Sequence, residues 1–127
     1  MNINEAAKVL TEASYGGSKA SGWHHDMKTG RLRTAEQNHE MFPTRIALCH
    51  SELSEALEGH RKGLADDKLP HRAMAEVELA DTVIRVFDLA GAMGYDLGGA
   101  ITEKLAFNAK REDHTIEHRK GTGGKLY

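Results

Sequence analysis

The sequence predicts an all-α protein, built as a small bundle of about four main helices. Apolar residues recur at steps of three and four through most of the chain, which is the period of an amphipathic helix. No strand-like alternation of apolar and polar residues stands out, and no internal repeat. We expect one domain over residues 1–127, with its core at about 43–112 and a glycine-rich tail at about 118–127.

The first part of the chain is predicted to contain one helix and a long loop. Residues 3–14 form the helix, and Gly16-Gly17 ends it. Residues 15–33 are mixed and rich in Gly, Ser, Lys and His, which favours a loop. A short helical stretch is predicted over residues 34–41.

The second main helix is predicted to begin near Pro43 and to end near Lys62. Proline fits the first turn of a helix because its missing N–H costs little there. Gly63 follows as a typical stop. The predicted core-facing stripe of this helix is Ile46, Cys49, Leu53, Ala56 and Leu57.

The third helix is predicted from about Pro70 to Met93, and the fourth over about 96–112. The third carries two neighbouring apolar strips, so it needs more than one packing partner. Few other helices are available, and we therefore expect self-association. The two strips are Ala73, Val77, Ala80, Ile84 and Phe87, and Leu79, Val83, Val86 and Ala90. The inward residues of the fourth helix are Leu97, Ile101 and Leu105.

Composition and charge exclude several classes of function. The formal net charge of −2 argues against nonspecific binding to nucleic acid or an anionic membrane, which needs a concentrated basic field. No apolar run approaches the ~20 residues of a membrane span. The start, Met-Asn-Ile-Asn-Glu, lacks a secretory pattern, and the single Cys49 can form no intrachain disulfide. These features lead us to expect a cytoplasmic location.

Two short acidic pairs carry most of the functional information. Glu52 and Glu55 are three residues apart, as are Glu78 and Asp81, and on a helix this spacing places both side chains on one face. Each pair lies beside an apolar stripe, where carboxylates are unfavourable unless a cation joins them. Oxygen ligands of this kind suit Mg²⁺. Facing helices could thus hold one or two ions, and a neighbouring carboxylate such as Glu55 could accept a proton from water.

Two other interpretations of the acidic pairs remain open. The pairs could be ordinary charges on solvated helix faces. A di-iron site is the rival metal hypothesis, but helical di-iron sites repeat Glu-x-x-His on two helices. This chain holds a single such pattern, Glu36-Gln37-Asn38-His39.

A polar face of the fourth helix is a candidate phosphate site. Lys104, Asn108 and Arg111 are spaced to share one side, where the two cations could neutralise phosphate oxygens. The plainer alternative is a polar outer face. Trp23, the only tryptophan, lies in the predicted loop and could either stack on a base or cover an edge of the core.

Three stretches of the chain carry a family resemblance. LCHSELSEALEGHRKG, EVELADTVIRVFDLAG and EKLAFNAKRE resemble the MazG-like nucleoside triphosphate pyrophosphohydrolases, especially the short forms often carried by phages. The hallmark of that family, Glu-x-x-Glu followed by Glu-x-x-Asp, falls on the two acidic pairs, with 22 residues between them. The lysine, asparagine and arginine of the following helix match as well, and the likeness covers about residues 43–112.

The resemblance implies a fold, a reaction and a set of ligands. It implies an all-α NTP pyrophosphatase fold completed by a homodimer or by a tetramer made of two dimers. Glu52, Glu55, Glu78 and Asp81 would bind Mg²⁺, with Mn²⁺ as a possible substitute, and would serve catalysis. Lys104, Asn108 and Arg111 would bind substrate. Trp23 is a further candidate for substrate binding, from its place in the predicted loop and not from the resemblance. The stretches GWHHDMKTG and REDHTIEHRKGTGG depart from the pattern of short relatives and are expected to border the nucleotide.

The function expected from the sequence is Mg²⁺-dependent cleavage of a nucleoside triphosphate between its α and β phosphates. The products would be a nucleoside monophosphate and pyrophosphate, in a bacterial or phage-infected cell. The alternatives are a nucleotide-binding or regulatory bundle without turnover, and a purely structural helical protein.

Overall fold

The computed structural model describes residues 1–127, and its regular secondary structure is entirely helical. The predicted all-α class is confirmed. No helix combines the length and the apolar content that crossing a bilayer requires. The helices are α1 Ile3–Thr11, α2 Gly17–Ala20, α3 Ala35–Lys62, α4 Met74–Met93, α5 Leu97–Ala109 and α6 Ile116–Lys120, with a π-helical turn at Glu12–Gly16 and a 3₁₀ turn at Glu112–His114.

The first helical segment is longer than predicted. Asn2 caps it in a reciprocal pair of hydrogen bonds with Glu5. The helical path then continues through the π-turn and α2 to Ala20, so the predicted stop at Gly16-Gly17 was wrong. Both glycines adopt right-handed helical backbone angles, which glycine tolerates at a cost that tertiary packing can offset.

The helix α3 is continuous from Ala35 to Lys62. Thr34 caps it with Gln37 in a capping box, and Pro43 lies inside the helix rather than in its first turn. The sequence prediction of a break before Pro43 was therefore wrong. The predicted end of this helix near Lys62 is confirmed, because Gly63 caps it with a left-handed backbone at φ of 62°.

Helices α3 and α4 form an antiparallel hairpin, the largest packing unit of the chain. Near the connection the Met74 N–H donates to the Leu64 carbonyl at 2.9 Å. At the far end the Asn38 side-chain amide donates to the Ala92 carbonyl at 3.3 Å. The start of α4 at Met74 corrects the prediction of a start near Pro70, which lies in the connecting turn. The predicted end at Met93 is confirmed.

The packed face of α3 differs from the predicted stripe. Leu53 and Leu57 are exposed, although both were expected to face the core. The reason is close packing, because a Cβ added at Gly59 would lie 2.8 Å from the Met74 side chain. The small residues of α3 face α4, and the bulky leucines are left outside. The buried residues of α3 are Cys49, Glu52, Ala56 and Gly59.

Large apolar surfaces remain uncovered in the single chain. Only 12 of 127 residues are buried, which is few for a protein of this size, since monomers rarely leave extended apolar patches. Helix α5 packs on α1 through Gly98, at which an added Cβ would lie 2.8 Å from the Ala7 Cβ. Leu105, expected to face inward, is 52% exposed. The exposed apolar residues of α4 are Leu79, Val83, Ile84 and Val86.

One close contact fixes the N-terminal segment against α4 and gives a stability prediction. A Cβ at Gly91 would lie 2.5 Å from both Cβ and Cγ of Tyr15. We expect Gly91→Ala to lower the free energy of unfolding by about 1–3 kcal/mol, as overpacking does. Urea unfolding measures this change.

Gly17→Ala is the matched control for this substitution. Gly17 is helical, and an added Cβ would meet nothing within 4 Å. We expect the alanine to stabilise the protein by up to about 1 kcal/mol, through helix propensity alone. Equal effects of the two substitutions would contradict the packing described here.

Candidate metal centre and its cavity

Three carboxylates converge where α3 and α4 pack against each other. Glu52 and Glu55 come from successive positions of one face of α3, and Glu78 comes from α4. Each offers an oxygen atom, and these oxygens all lie within 4.8 Å of one another. The acidic pairs predicted from the i, i+3 spacing are thus brought together across the hairpin by three of their four members.

Arg85 is the one cation paired with this cluster. Its Nε donates to Glu52 Oε1 at 2.6 Å. Burial raises the pKa of Glu52, but the hydrogen bonds from Arg85 and with Glu78 outweigh burial and bring this pKa below its ordinary value. Glu52 is therefore ionised and compensated, which explains how it occupies a core-facing position.

Glu78 is buried without such compensation. It is 8% exposed, and its Oε2 atom has no hydrogen-bond partner. Burial raises its pKa to about 7, with further contributions from the hydrogen bond to Glu52 and the charge of Glu55. An orphaned buried carboxylate oxygen is costly, and a cation bound between the three carboxylates would satisfy it.

Asp81 lines the same cavity but lies outside the group of three converging oxygens. It is half-buried. Burial raises its pKa, and the negative charge of Glu52 raises it further. The structure thus places the fourth predicted metal ligand beside the cluster rather than in it.

The cluster opens into a cavity of about 1530 Å³, larger than the roughly 300–1,000 Å³ of a typical small-molecule site. Its lining includes seven Asp or Glu residues and only two cationic ones, Lys68 and Arg85. The acidic excess favours binding of cations, alone or together with an anionic ligand. Trp23 also lines this cavity and is 76% exposed.

A buried polar network holds the loop that carries Trp23. His24 is 4% exposed, and its Nε2 lies 2.6 Å from Asp88 Oδ1 on α4. Arg45 of α3 donates from Nη2 to the other ring nitrogen at 3.3 Å and from Nη1 to Asn38 at 3.0 Å. The Tyr15 ring packs edge-on against the imidazole at 4.8 Å. The loop is thereby fixed to both long helices.

Three predicted substrate residues do not line this cavity in the single chain: Lys104 and Asn108 of α5, and Arg111 just after that helix. Lys104 lies 4.9 Å from the centre of the Phe107 ring. Arg111 donates two hydrogen bonds to the Asp113 carboxylate. Asn108 has a buried Oδ1 without a partner. Lys104 and Arg111 both lie near the Phe107 ring, and none of the three predicted residues lines the acidic cavity.

Sequence reasoning missed the roles of Asp88 and His24. Asp88 lies within the third predicted helix, seven positions after Asp81, and this spacing places both side chains on the same side of a helix. The pairing with His24 spans 64 positions, and no local signal indicates it. The ion pair between Arg85 and Glu52 joins two helices, and no local sequence signal indicates it either.

The donor set fits a hard divalent cation. All three converging groups are carboxylates, with no histidine or cysteine among them, and oxygen-only sets favour Mg²⁺ or Mn²⁺ over softer metals. The Glu36-x-x-His39 pattern lies near the start of α3 and contributes nothing to the cluster.

Comparisons with protein-family models, with curated proteins and with solved structures find no match to this chain. The likeness to MazG-like pyrophosphohydrolases therefore stays a prediction from sequence motifs.

The raised pKa of Glu78 predicts a pH dependence of stability in the metal-free protein. A carboxyl group whose pKa rises from 4.5 to about 7 on folding binds its proton more tightly in the folded state. Its ionisation therefore destabilises the folded state progressively between those two pH values. We expect Glu78→Gln to gain stability relative to wild type as the pH rises through this window and to keep the gain above it.

Chemical unfolding in a chelator at several pH values measures this difference. Glu76→Gln is the control, because Glu76 is an exposed carboxylate on the same helix and lies outside the cavity. A stability difference between wild type and Glu78→Gln that is independent of pH would contradict the assignment.

Proposed function

We propose that this protein is a Mg²⁺-dependent nucleotide pyrophosphohydrolase that cleaves a nucleoside triphosphate between its α and β phosphates. The observation that supports this most is the convergence of Glu52, Glu55 and Glu78, all of which line one large cavity. The buried, unpartnered Oε2 of Glu78 provides a place for a cation. The type of reaction is proposed from the resemblance of the sequence motifs to MazG-like pyrophosphohydrolases.

The metal would be held by the three converging carboxylates, with Asp81 beside them. Bound Mg²⁺ supplies charge neutralisation for phosphate oxygens and makes nearby water easier to deprotonate. Glu55 is the exposed member of the cluster. It is therefore the carboxylate best placed to accept the proton of an attacking water that enters from the cavity.

The remaining lining residues suit the other parts of a nucleotide. Arg85 and Lys68, the two cations of the cavity, would bind phosphate oxygens, and Arg85 can do so while it stays close to Glu52. Trp23, exposed at the cavity, offers an aromatic face on which a base can stack. Water would add to one phosphorus, the bridging oxygen would leave, and the products would be a nucleoside monophosphate and pyrophosphate.

A homodimer, or a tetramer made of two dimers, would complete the protein. The second apolar strip of α4 is exposed at Leu79, Val83 and Val86, as expected for a helix that needs a further partner. A second chain covering this strip would also offer a route by which Lys104, Asn108 and Arg111 reach a nucleotide. In the single chain none of these three residues lines the acidic cavity.

The reaction is tested by incubating the protein with Mg²⁺ and a panel of canonical and modified nucleoside triphosphates. We expect release of pyrophosphate and a nucleoside monophosphate from at least one of them, with loss of activity on chelation and recovery with Mg²⁺ or Mn²⁺. Tight binding without product would favour a nucleotide-binding bundle. A melting temperature that Mg²⁺ leaves unchanged would favour a structural protein.

Carboxylate-to-amide variants test the residue roles. We expect Glu55→Gln and Asp81→Asn to reduce turnover by at least a hundredfold, within the range for loss of a proton acceptor or charge-stabilising group, while circular dichroism stays native. Glu76→Gln is the control and should retain activity, because Glu76 lies outside the cavity. Near-normal turnover in both cavity variants would refute the site.

A charge placed in the exposed strip of α4 tests self-association. We expect Leu79→Glu to shift the protein toward monomer in sedimentation equilibrium, because a buried unpaired charge at an interface is strongly unfavourable. Val9→Glu is the control, since Val9 is similarly exposed but lies on α1. A monomeric wild type, or an unchanged mass for Leu79→Glu, would contradict the proposed interface.

A further inference from the structure

The cavity extends along α4, because residues from two well-separated positions of this helix line it. Glu78 belongs to the cluster of three carboxylates, and Asp88 lies ten residues further along the same helix. At 1.5 Å per residue the two positions are roughly 15 Å apart along the axis. Trp23 is adjacent in sequence to His24, which contacts Asp88. The far end of the cavity therefore combines an exposed aromatic ring with a carboxylate.

The hydrogen-bond partners of His24 indicate which of its ring nitrogens donates. The Arg45 guanidinium can only donate, so the Nδ1 atom that it contacts at 3.3 Å must be the acceptor. Nε2 is then the nitrogen that donates to Asp88 Oδ1, at 2.6 Å. One oxygen of Asp88 is thereby occupied and the carboxylate is held in place.

The second oxygen of Asp88 is available to a ligand. Oδ2 accepts no hydrogen bond within the chain, and the side chain is 26% exposed at the cavity wall. An ionised carboxylate oxygen is an acceptor only. A ligand at this end must therefore present a donor to it, and an acceptor such as a carbonyl oxygen would be repelled.

We infer that Asp88 is a specificity residue that accepts a hydrogen bond from the amino group of a base, as in cytosine or adenine, while Trp23 stacks on that base. This inference rests on the proposed function, which places the phosphates beside a cation held by the three carboxylates. The sugar of a nucleotide lies between its phosphates and its base, so the far end of the cavity receives the base. Carboxylates read the amino group of cytosine in the same way elsewhere.

Asp88→Asn tests the inference because it changes one group only. The asparagine Oδ1 can still accept from His24, whereas its Nδ2 now presents a donor to the cavity. The probes are matched nucleoside monophosphates with Mg²⁺, namely dCMP against dUMP and AMP against IMP, measured by calorimetry on the full chain. Wild type should prefer the amino member, and Asp88→Asn should shift the ratio of dissociation constants by about tenfold or more toward the keto member.

Controls separate recognition from folding and from catalysis. Glu76→Gln, on the same helix but outside the cavity, should keep the wild-type ratio. His24→Gln retains a donor toward Asp88 and should also keep the amino preference. If Asp88→Asn fails to fold, the wild-type comparison of dCMP with dUMP and of AMP with IMP still tests the inference. Binding to monophosphates does not require turnover, so an inactive protein with this preference would refute the proposed function and support the inference.

Four results would overturn the inference. One is a wild type that binds both members of each pair equally, and another is an unchanged ratio in Asp88→Asn. A preference that follows only the sugar, seen by comparing AMP with dAMP, would assign the donor to a hydroxyl group instead. Absence of binding to all of these nucleotides would also refute it.

Discussion

The structure depends on how a buried negative charge is compensated between two antiparallel helices. Glu52 occupies a core-facing position of α3, and the guanidinium of Arg85 on α4 meets it at 2.6 Å. Removing one partner of such a pair leaves an uncompensated buried charge, which is far more costly than the pair itself is stabilising. Because each partner comes from a different helix, α3 and α4 must dock in one register. That register also brings Glu78 to the same place.

The negative charge of the carboxylate cluster is only partly compensated. One arginine faces three converging carboxylates, and the consequence is visible in the raised pKa of Glu78, which burial causes first and neighbouring acids reinforce. A hydrophobic side chain at this position would pack at lower cost. The chain instead retains an orphaned oxygen beside a large opening, and perturbed titration in a cavity is typical of functional sites.

Residue spacing in the sequence predicts the helices and the acidic pairs, but it does not predict the packed face of α3 or the contacts of His24. The i, i+3 pairs indicated which carboxylates share a helix face, and the stop predicted at Gly63 is the observed end of α3. The stripe through Leu53 and Leu57 was predicted wrongly, because hydrophobicity alone does not reveal that a close approach at Gly59 selects the small side of the helix. The network of His24 depends on contacts distant in sequence, which periodicity does not encode.

The exposed apolar strip and part of the lining of the acidic cavity belong to the same helix, α4, so the partner chain proposed to cover the strip would lie near the site. Leu79 is the neighbour of Glu78 in sequence and is 54% exposed, so a chain covering the strip would lie one helix face away from the cluster. Such a chain would lower water access and the local dielectric around the carboxylates, which strengthens both their repulsion and their attraction for a cation. A cation at the cluster and a second chain on the strip would therefore reinforce each other. Under the proposed function, metal affinity and self-association would therefore be coupled through this one hairpin.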